Sequence, residues 1–207
     1  MLHSLAFLRE SGHELIVVDG GSSDTTVAEA SGLADKVVAA PKGRASQMNA
    51  GARVAKGEIF WFLHADTLVP SDAAKVLLER VAKGREWGRF DIRLSGGHWL
   101  LRVVERMMKL RSRLSGIATG DQGIFVTRGT FEAIGGFPEI PLMEDIALSK
   151  MLIKRSAPVC ISSPRLITSS RRWEERGIVR TILLMWRFRM AYALGTNPEK
   201  LVGRYHP

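Results

Sequence analysis

Cysteine is almost absent from this chain, and its absence excludes two kinds of architecture. The 207 residues contain a single cysteine, Cys160, so neither an internal disulfide nor a metal site built from several cysteines can form. Aromatic residues make up only 7% of the chain and include two tyrosines, which gives little sign of a platform for stacking bases. We therefore expect no nucleic-acid partner, and the scarcity of cysteine agrees with a reducing, cytoplasmic location.

Long apolar runs are also missing, which argues against a protein that spans a membrane. Residues 1–9 show no basic start followed by a long apolar core, so we expect no signal peptide. The most apolar C-terminal stretch, residues 178–194, is interrupted by Arg180, Arg187 and Arg189. No run therefore approaches the roughly 20 apolar residues that a transmembrane helix requires.

Acidic residues are scarce towards the C-terminus, so the charge is distributed unevenly. The net charge is +9, and residues 150–207 hold 12 basic and 3 acidic residues. The whole excess lies in this segment, and residues 1–149 are neutral. A basic segment on a neutral body indicates anionic partners such as phosphates, lipid headgroups or nucleic acid, with a solvated basic face as the alternative.

The basic segment contains a predicted helix with two open interpretations. On a 100° helical step, Arg176, Arg180 and Arg187 fall within about 40° of one another, whereas Arg189 lies on the opposite side. The helix could simply pack on the domain. It could instead lie at a membrane interface with its arginines facing headgroups, which would place the protein peripherally on the inner face of a membrane.

Two apolar segments that each end in an aspartate carry the strongest signal for function. Residues 15–18 lead into Asp19, and residues 59–63 lead into His64-Ala65-Asp66. Strand patterns alternate with helix patterns here, which predicts an α/β fold with a mostly parallel central sheet flanked by helices. Ligands bind outside the carboxyl ends of such strands, so Asp19 and Asp66 should face one crevice that holds a nucleotide and a divalent cation.

A long helix is predicted in the less regular second half, over residues 98–113. Leu101, Val104, Met108 and Leu110 are predicted to lie near one side of it, with many arginines elsewhere.

Several acidic residues also have ordinary structural interpretations. Asp24 is predicted to cap the helix that follows the first strand. Asp121, within Gly120-Asp121-Gln122-Gly123, is interpreted as a turn residue, with acceptor binding as the alternative. Asp145 could stabilise the first turn of a helix.

Four segments, taken together and in order, resemble the family 2 glycosyltransferases. They are residues 16–24, 43–52 and 62–67, and Gly135-Gly136-Phe137 followed by Met143-Glu144-Asp145. The nearest resemblance is to a small bacterial branch associated with radical-SAM and selenium-related domains. It implies a nucleotide-sugar-binding fold of the A type over residues 1–170, followed by a basic helical segment over residues 171–207. The implied activity is inverting, hexosyltransferase-type transfer of a sugar from a nucleotide donor to an acceptor hydroxyl.

The resemblance also implies roles for donor-side residues. Asp19 would contact the base, and Arg44 and Gln47 would lie near the base or the phosphates. Asp66 matches the second carboxylate of the family's D-x-D motif and would bind the metal. His64 stands where that motif has its first carboxylate, and its imidazole could ligate a metal or bond to a ribose hydroxyl. Because imidazole suits Mn²⁺ better than Mg²⁺, a histidine ligand would favour Mn²⁺.

On the acceptor side, Asp145 matches the aspartate of the family's E-D pair and would be the general base, with Glu144 beside it. Arg172 and Trp173 resemble the end of the family's Q-x-x-R-W motif, near donor and acceptor, although Ser169 stands in place of its glutamine. The acceptor is unknown, and a lipid is one candidate.

The chain departs from the family at its start. Family members begin with a strand that carries part of the nucleotide pocket, and this chain starts within the helix that follows it. A misplaced start, a truncation or a substitute segment would each explain this, and we favour truncation.

Two other functions stay open on the residues alone. The first is a different nucleotide-cofactor enzyme, such as a methyltransferase, that uses the turn at residues 18–21. No G-x-G-x-x-G follows that strand, so a dinucleotide enzyme fits poorly. The second is a non-catalytic protein that binds nucleotides or an anionic membrane.

Overall fold

The structure is a computed structural model and describes residues 2–205, with side chains described as far as residue 201. Ten α-helices lie within this range: α1 Ala6–Glu10, α2 Thr26–Leu33, α3 Arg44–Val54, α4 Ala73–Ala82, α5 Trp99–Ser115, α6 Arg128–Ala133, α7 Glu144–Ile153, α8 Arg171–Arg176, α9 Ile178–Ala193 and α10 Pro198–Tyr205. Two short 3₁₀ helices cover Leu2–Leu5 and Gly120–Gln122.

Seven strands lie in the same range: β1 Ile16–Asp19, β2 Lys36–Ala39, β3 Ile59–Trp61, β4 Thr67–Leu68, β5 Trp87–Leu94, β6 Phe125–Thr127 and β7 Val159–Thr168. They form two sheets. Strands β1 and β2 make a two-stranded sheet, and the other five follow the order β3-β6-β5-β7-β4.

The predicted α/β class, with a central sheet flanked by helices, is confirmed. The strand pairing is more mixed than the alternation of strands and helices predicts. Pairs β1–β2 and β5–β7 are parallel and have the longest ladders. Pairs β3–β6, β5–β6 and β4–β7 are antiparallel.

Strand β5 is the centre of the main core. Seven of its eight residues are buried, and they include Trp87, Phe90 and Leu94. The strand is therefore covered on both faces, although it is not continuously apolar: Arg89 and Asp91 are buried within it, and their side chains form an ion pair at 3.2 Å. Trp61 of β3 stacks on Phe90 with ring centroids 5.3 Å apart, which joins the edge strand to this core.

Helix α5 packs on the sheet through the side predicted from its spacing, with one correction. Leu101, Val104 and Met108 contact the main core, but Leu110 is exposed and faces away from it. Leu110 lies seven positions after Val103, which is also exposed. Seven positions make about two helical turns, so the two side chains lie on the same side of the helix. At the N-terminus, His98 Nδ1 accepts a hydrogen bond from the backbone of Leu100 at 3.2 Å.

A large cavity separates the two sheets. Strand β1 pairs only with β2, and β3 pairs only with β6, among the residues that the structure describes. Residues of both strands line one cavity of about 2100 Å³. Helix α3 bridges it, since Gly51 packs closely on Val18 while Ala45 and Ala52 join a core cluster of the larger sheet.

Within residues 2–205, no helix combines the length and apolar character needed to cross a membrane.

Candidate functional site

Most of the predicted site residues lie around this inter-sheet cavity. Its lining includes Arg44, Gln47, His64, Asp66, Asp121, Glu144, Asp145, Arg172 and Trp173. These residues come from helices α3, α7 and α8 and from the segments after β3 and before β6. The structure therefore brings residues up to 129 positions apart in the chain to the wall of one cavity. Asp19 is the one predicted site residue that does not line the cavity.

Asp66 and His64 follow β3 in the same short segment but have different surroundings. Asp66 is exposed on the cavity wall. The imidazole of His64 is largely covered, and its Nδ1 lies 3.1 Å from Oδ1 of Asp121. The other ring nitrogen, Nε2, is buried and has no hydrogen-bond partner among the described residues. Ligation of a metal through Nδ1 of His64 would thus require its contact with Asp121 to break.

The pKa shifts of His64 and Asp121 favour an ion pair between the two side chains. Burial opposes protonation of the imidazole, but the hydrogen bond and charge of Asp121 outweigh it and raise the pKa of His64. Enclosure in the cavity opposes ionisation of Asp121, but His64, with help from Arg44 and Arg172, lowers the pKa of that carboxyl. Opposite shifts in two touching groups favour the charged form of both.

The 3₁₀ turn Gly120–Gln122 positions Asp121 and also contacts Asp145, the predicted general base. Thr119 and Gln122 close the turn with a capping box. The backbone N–H of Gly120 then donates to Oδ2 of Asp145 at 3.0 Å. A Cβ atom at Gly120 would collide with Nε2 of His64, so this turn needs a glycine at the point where it passes the imidazole.

Glu144 and Asp145 occupy the first turn of α7, where the helix dipole favours carboxylates. Met143, just before them, has φ 69°. This left-handed backbone is uncommon for a residue with a side chain, and such conformations cluster at functional sites. Oδ1 of Asp145 accepts the backbone N–H of Ile146 at 2.7 Å, so the carboxylate is held from two sides.

Both acidic residues of this turn are harder to ionise than usual. Burial raises the pKa of Asp145, and the charge of Asp121 raises it further, against the hydrogen bonds from Gly120 and Ile146. Burial raises the pKa of Glu144, and the charge of Asp145 adds to it. A carboxylate with a raised pKa is a stronger base than an exposed one.

Arginines bring positive charge to the same wall. Arg44, in the first turn of α3, lies 3.8 Å from Glu144, between Nη1 and Oε1. Arg172 in α8 is close enough to Asp121 to lower its pKa. Trp173, the next residue, packs against the main core and fixes α8 beside the cavity. The predicted R-W pair is therefore at the site, and its arginine contributes charge.

Asp19 is engaged by its own turn. Its carboxylate accepts the backbone N–H of Gly21 at 2.9 Å and that of Ser22 at 3.0 Å, together with the Ser22 hydroxyl. The Ser22 and Gly21 bonds lower the pKa of Asp19. Gln47 reaches the same strand end, donating from Nε2 to the carbonyl of Val18 at 3.0 Å. These contacts fix the conformation of the turn. That Asp19 and Gln47 contact the nucleotide base stays a prediction.

Asn49 was not predicted as a site residue, although it lies within residues 43–52, one of the four segments that resemble the family. Its side chain donates to the carbonyl of Phe137 and accepts the N–H of Phe137, both at 2.9 Å. A Cβ at Gly136, which has φ 78°, would lie 2.8 Å from Oδ1 of Asn49. Gly136 is thus needed for Asn49 to tie α3 to the loop that leads to α7.

The residues of this site fit a divalent cation only if the donor phosphates supply some of its ligands. Among the described residues, no three His, Cys, Asp or Glu side chains are grouped to hold a metal ion. Asp66 offers one exposed carboxylate to the cavity. Mg²⁺ is often held by one or two carboxylates together with substrate phosphates. The chain therefore suits a cation that a nucleoside diphosphate helps to bind, rather than a site complete in itself.

Solved structures identify the fold class. The crystal structure of S. aureus TarS 1–349 matches with a TM-score of 0.66 at 19% identity, over 82% of this chain and 56% of that one. The mannosyltransferase PcManGT from Pyrobaculum calidifontis, solved in complex with GDP-Man and Mn²⁺, matches with a TM-score of 0.57 at 22% identity, over 91% and 55%. The fold is that of the A-type glycosyltransferases, and the chain spans about half the length of these structures.

A family model identifies the sequence family. The model described as glycosyl transferase family 2 matches residues 1–129, which is more than half of the chain. The chain therefore belongs to glycosyl transferase family 2, and the family predicted from the four segments is confirmed. The narrower bacterial branch stays a prediction. The match includes Asp19, Arg44, Gln47 and Asp66 but ends before Asp145. A comparison with curated proteins gave no match.

Proposed function

We propose that this protein is an inverting, metal-assisted glycosyltransferase that moves a sugar from a nucleoside diphosphate donor to an acceptor hydroxyl. The observation that carries the proposal is that Asp66, Arg44, Arg172 and Asp145 all line the inter-sheet cavity. Membership of family 2 supports the reaction class, and the complex of PcManGT with GDP-Man and Mn²⁺ supports the kind of donor.

The arginines would bind the donor through its diphosphate. Arg44 and Arg172 line the cavity from two different helices, α3 and α8. Guanidinium groups match phosphate oxygens with two parallel hydrogen bonds. Negative charge grows on the diphosphate as the bond to the sugar breaks, so fixed cations here stabilise the transition state more than the bound donor.

Asp145 would take the proton of the acceptor hydroxyl. Its two oxygens each accept one backbone N–H, which fixes the carboxylate and leaves each oxygen a second lone pair. Attack by the acceptor from the face opposite the diphosphate then inverts the anomeric carbon. Glu144 is nearly fully buried and lies 3.8 Å from Arg44, so we assign it the role of positioning that arginine.

A bound Mn²⁺ or Mg²⁺ would supply a Lewis acid that neutralises the leaving diphosphate. Asp66 is the residue of this chain that would hold it, jointly with the donor phosphates. For His64 to bind the metal through Nδ1, the contact between that atom and Asp121 would have to lengthen or break.

Replacing Asp66 with asparagine is expected to weaken the binding of UDP or GDP in the presence of Mn²⁺ at least about tenfold, because a metal ligand is lost. Calorimetric titration of both nucleotides, with and without Mn²⁺, measures this. Asp72→Asn is the matched control, since Asp72 is also exposed and lies six residues further on, outside the cavity. Binding that does not depend on metal, or that is equal in wild type and Asp66→Asn, would remove Asp66 and the metal from the proposal.

The rate of transfer is expected to fall as the pH is lowered, with a midpoint above the ordinary aspartate value of 3.8. Asp145 must be ionised to accept a proton, and its raised pKa moves the protonated, inactive form to higher pH. Because Glu144 lies beside it, the midpoint belongs to the pair. A profile of kcat/KM against pH checks this, and a midpoint at or below 3.8 would contradict it.

A further inference from the structure

Two helices of this protein each carry an exposed apolar stripe. On α5, the large apolar residues Trp99, Val103, Met107, Leu110 and Leu114 are all exposed, up to 79% for Leu114. Their spacing of three and four residues places them on one side of the helix, opposite the side that packs on the main core. The stripe is about 22 Å long at 1.5 Å per residue.

Helix α9 repeats the pattern. Its stripe consists of Val179, Leu183, Trp186, Met190 and, just past its end, Leu194, each at least 57% exposed. The opposite side is packed inwards, where Thr181 and Phe188 are buried. One side of this helix therefore packs on the domain and the other is exposed, while its placement at a membrane interface stays a prediction.

The two helices that carry the stripes are neighbours. Ile178 and Ile182 of α9 pack against the core cluster that contains Leu101 and Val104 of α5. At their N-terminal ends, Val179 and Leu100 line one small cavity of about 390 Å³. We call the residues of the two stripes the α5–α9 surface. Monomeric soluble proteins rarely leave large apolar areas uncovered, so two exposed stripes on neighbouring helices indicate a partner.

The charges beside the stripes specify the kind of partner. Arg106 on α5 and Arg180 and Arg187 on α9 are exposed, and none of them forms an ion pair with an acidic residue that the structure describes. Arg180 and Arg187 are seven residues apart and so lie on one side of α9, beside its stripe. Arg189, which the sequence placed on the side opposite these arginines, lines the inter-sheet cavity and does not interrupt the surface.

We propose that the α5–α9 surface docks this protein on an anionic lipid bilayer, with both stripes in the interfacial region and the flanking arginines on the headgroups. Apolar stripes that include tryptophan, bordered by arginine, are typical of segments that lie in the plane of a membrane interface. Each arginine near an anionic surface adds to the attraction. The inner side of α9 lines the inter-sheet cavity through Thr181, Met185 and Arg189, so docking would hold the cavity about one helix diameter from the lipid.

Sedimentation of the full chain with phosphatidylglycerol-containing vesicles and with pure phosphatidylcholine vesicles tests the proposal without any nucleotide. We expect binding to the anionic vesicles, at least tenfold weaker binding to the zwitterionic ones, and weakening at high salt. Leu183→Ser with Trp186→Ser should reduce anionic binding about tenfold or more, and Leu110→Ser on α5 should also reduce it. Arg180→Gln and Arg187→Gln should each reduce it about fivefold.

The control is Leu78→Ser, which changes an exposed leucine of α4 outside the α5–α9 surface and should leave vesicle binding unchanged. Because the altered side chains are exposed, the variants should unfold at the wild-type temperature. Equal binding to both vesicle types, or binding unaffected by the stripe variants, would overturn the proposal. So would a dimer in sedimentation equilibrium that the stripe variants dissociate, without vesicle binding, since the surface would then be covered by a second copy.

Discussion

Replacing Asp145 with asparagine is expected to lower kcat for sugar transfer about 10²- to 10⁴-fold, the usual contribution of a general base. Asparagine has nearly the same shape and keeps one oxygen to accept the N–H of Gly120 or Ile146. It cannot take a proton from the acceptor. Nucleotide binding should change little, because the arginines and Asp66 are untouched.

The measurement is the steady-state rate of nucleoside diphosphate release in the presence of acceptor, beside a titration of the nucleotide. Glu139→Gln is the matched control, because Glu139 is an exposed carboxylate six residues earlier that does not line the cavity. It should keep the wild-type rate. If Asp145→Asn retained more than about a tenth of the wild-type kcat, another residue would have to be the base.

Gly88→Ala is expected to destabilise the fold by about 3 kcal/mol, at the upper end of the usual cost of overpacking. A Cβ atom there would lie 2.5 Å from Cγ1 of Val159 and 2.7 Å from Cζ of Phe125, and it would also collide with the backbone carbonyl of Val159. Gly88 lies in the buried strand β5 between β6 and β7. Neither neighbouring backbone can move without breaking ladder hydrogen bonds.

Urea unfolding of Gly88→Ala measures this, with Gly129→Ala as the control. Gly129 lies in helix α6 and a Cβ there meets nothing within 4 Å, so alanine should leave stability unchanged or raise it, by up to about 1 kcal/mol. Similar unfolding midpoints for the two variants would contradict the close packing of β5 between its neighbours.

The parts of the site that could be predicted from the sequence are those that follow regular elements. Asp66 ends an apolar segment and Asp145 begins a helix, so local pattern and family resemblance placed them, and the structure brings both to one cavity. The role of Asp121 depends on His64, 57 positions away, and no local pattern marks that contact. The interpretation of Asp121 as a turn residue is correct for its backbone, but it does not account for the contact of its side chain with His64.

The mixed pairing of the sheet was harder to predict for a related reason. Strand β7, Val159–Thr168, contains two serines and a proline near its middle, so its apolar pattern is interrupted and the sequence did not indicate a strand. Its register on β5 shifts between Phe90 and Ile92. The side of α5 that faces outwards was also partly misjudged, because Leu110 is apolar yet exposed, and apolar character alone predicts burial.

The separation of the two sheets has a consequence for how stability is distributed along the chain. Strands β1 and β2 share one short ladder of four residue pairs and reach the larger sheet mainly through α3, whereas β5 is bonded on both sides. Local opening costs least where few ladders and few buried side chains are broken. Amide protons of Ile16–Asp19 should therefore exchange with solvent through local unfolding, whereas those of Trp87–Leu94 should exchange only through global unfolding of the domain. The turn after Asp19 is thus attached to the least cooperative part of the sheet, and a bound nucleotide that contacted it would add order where the fold has least.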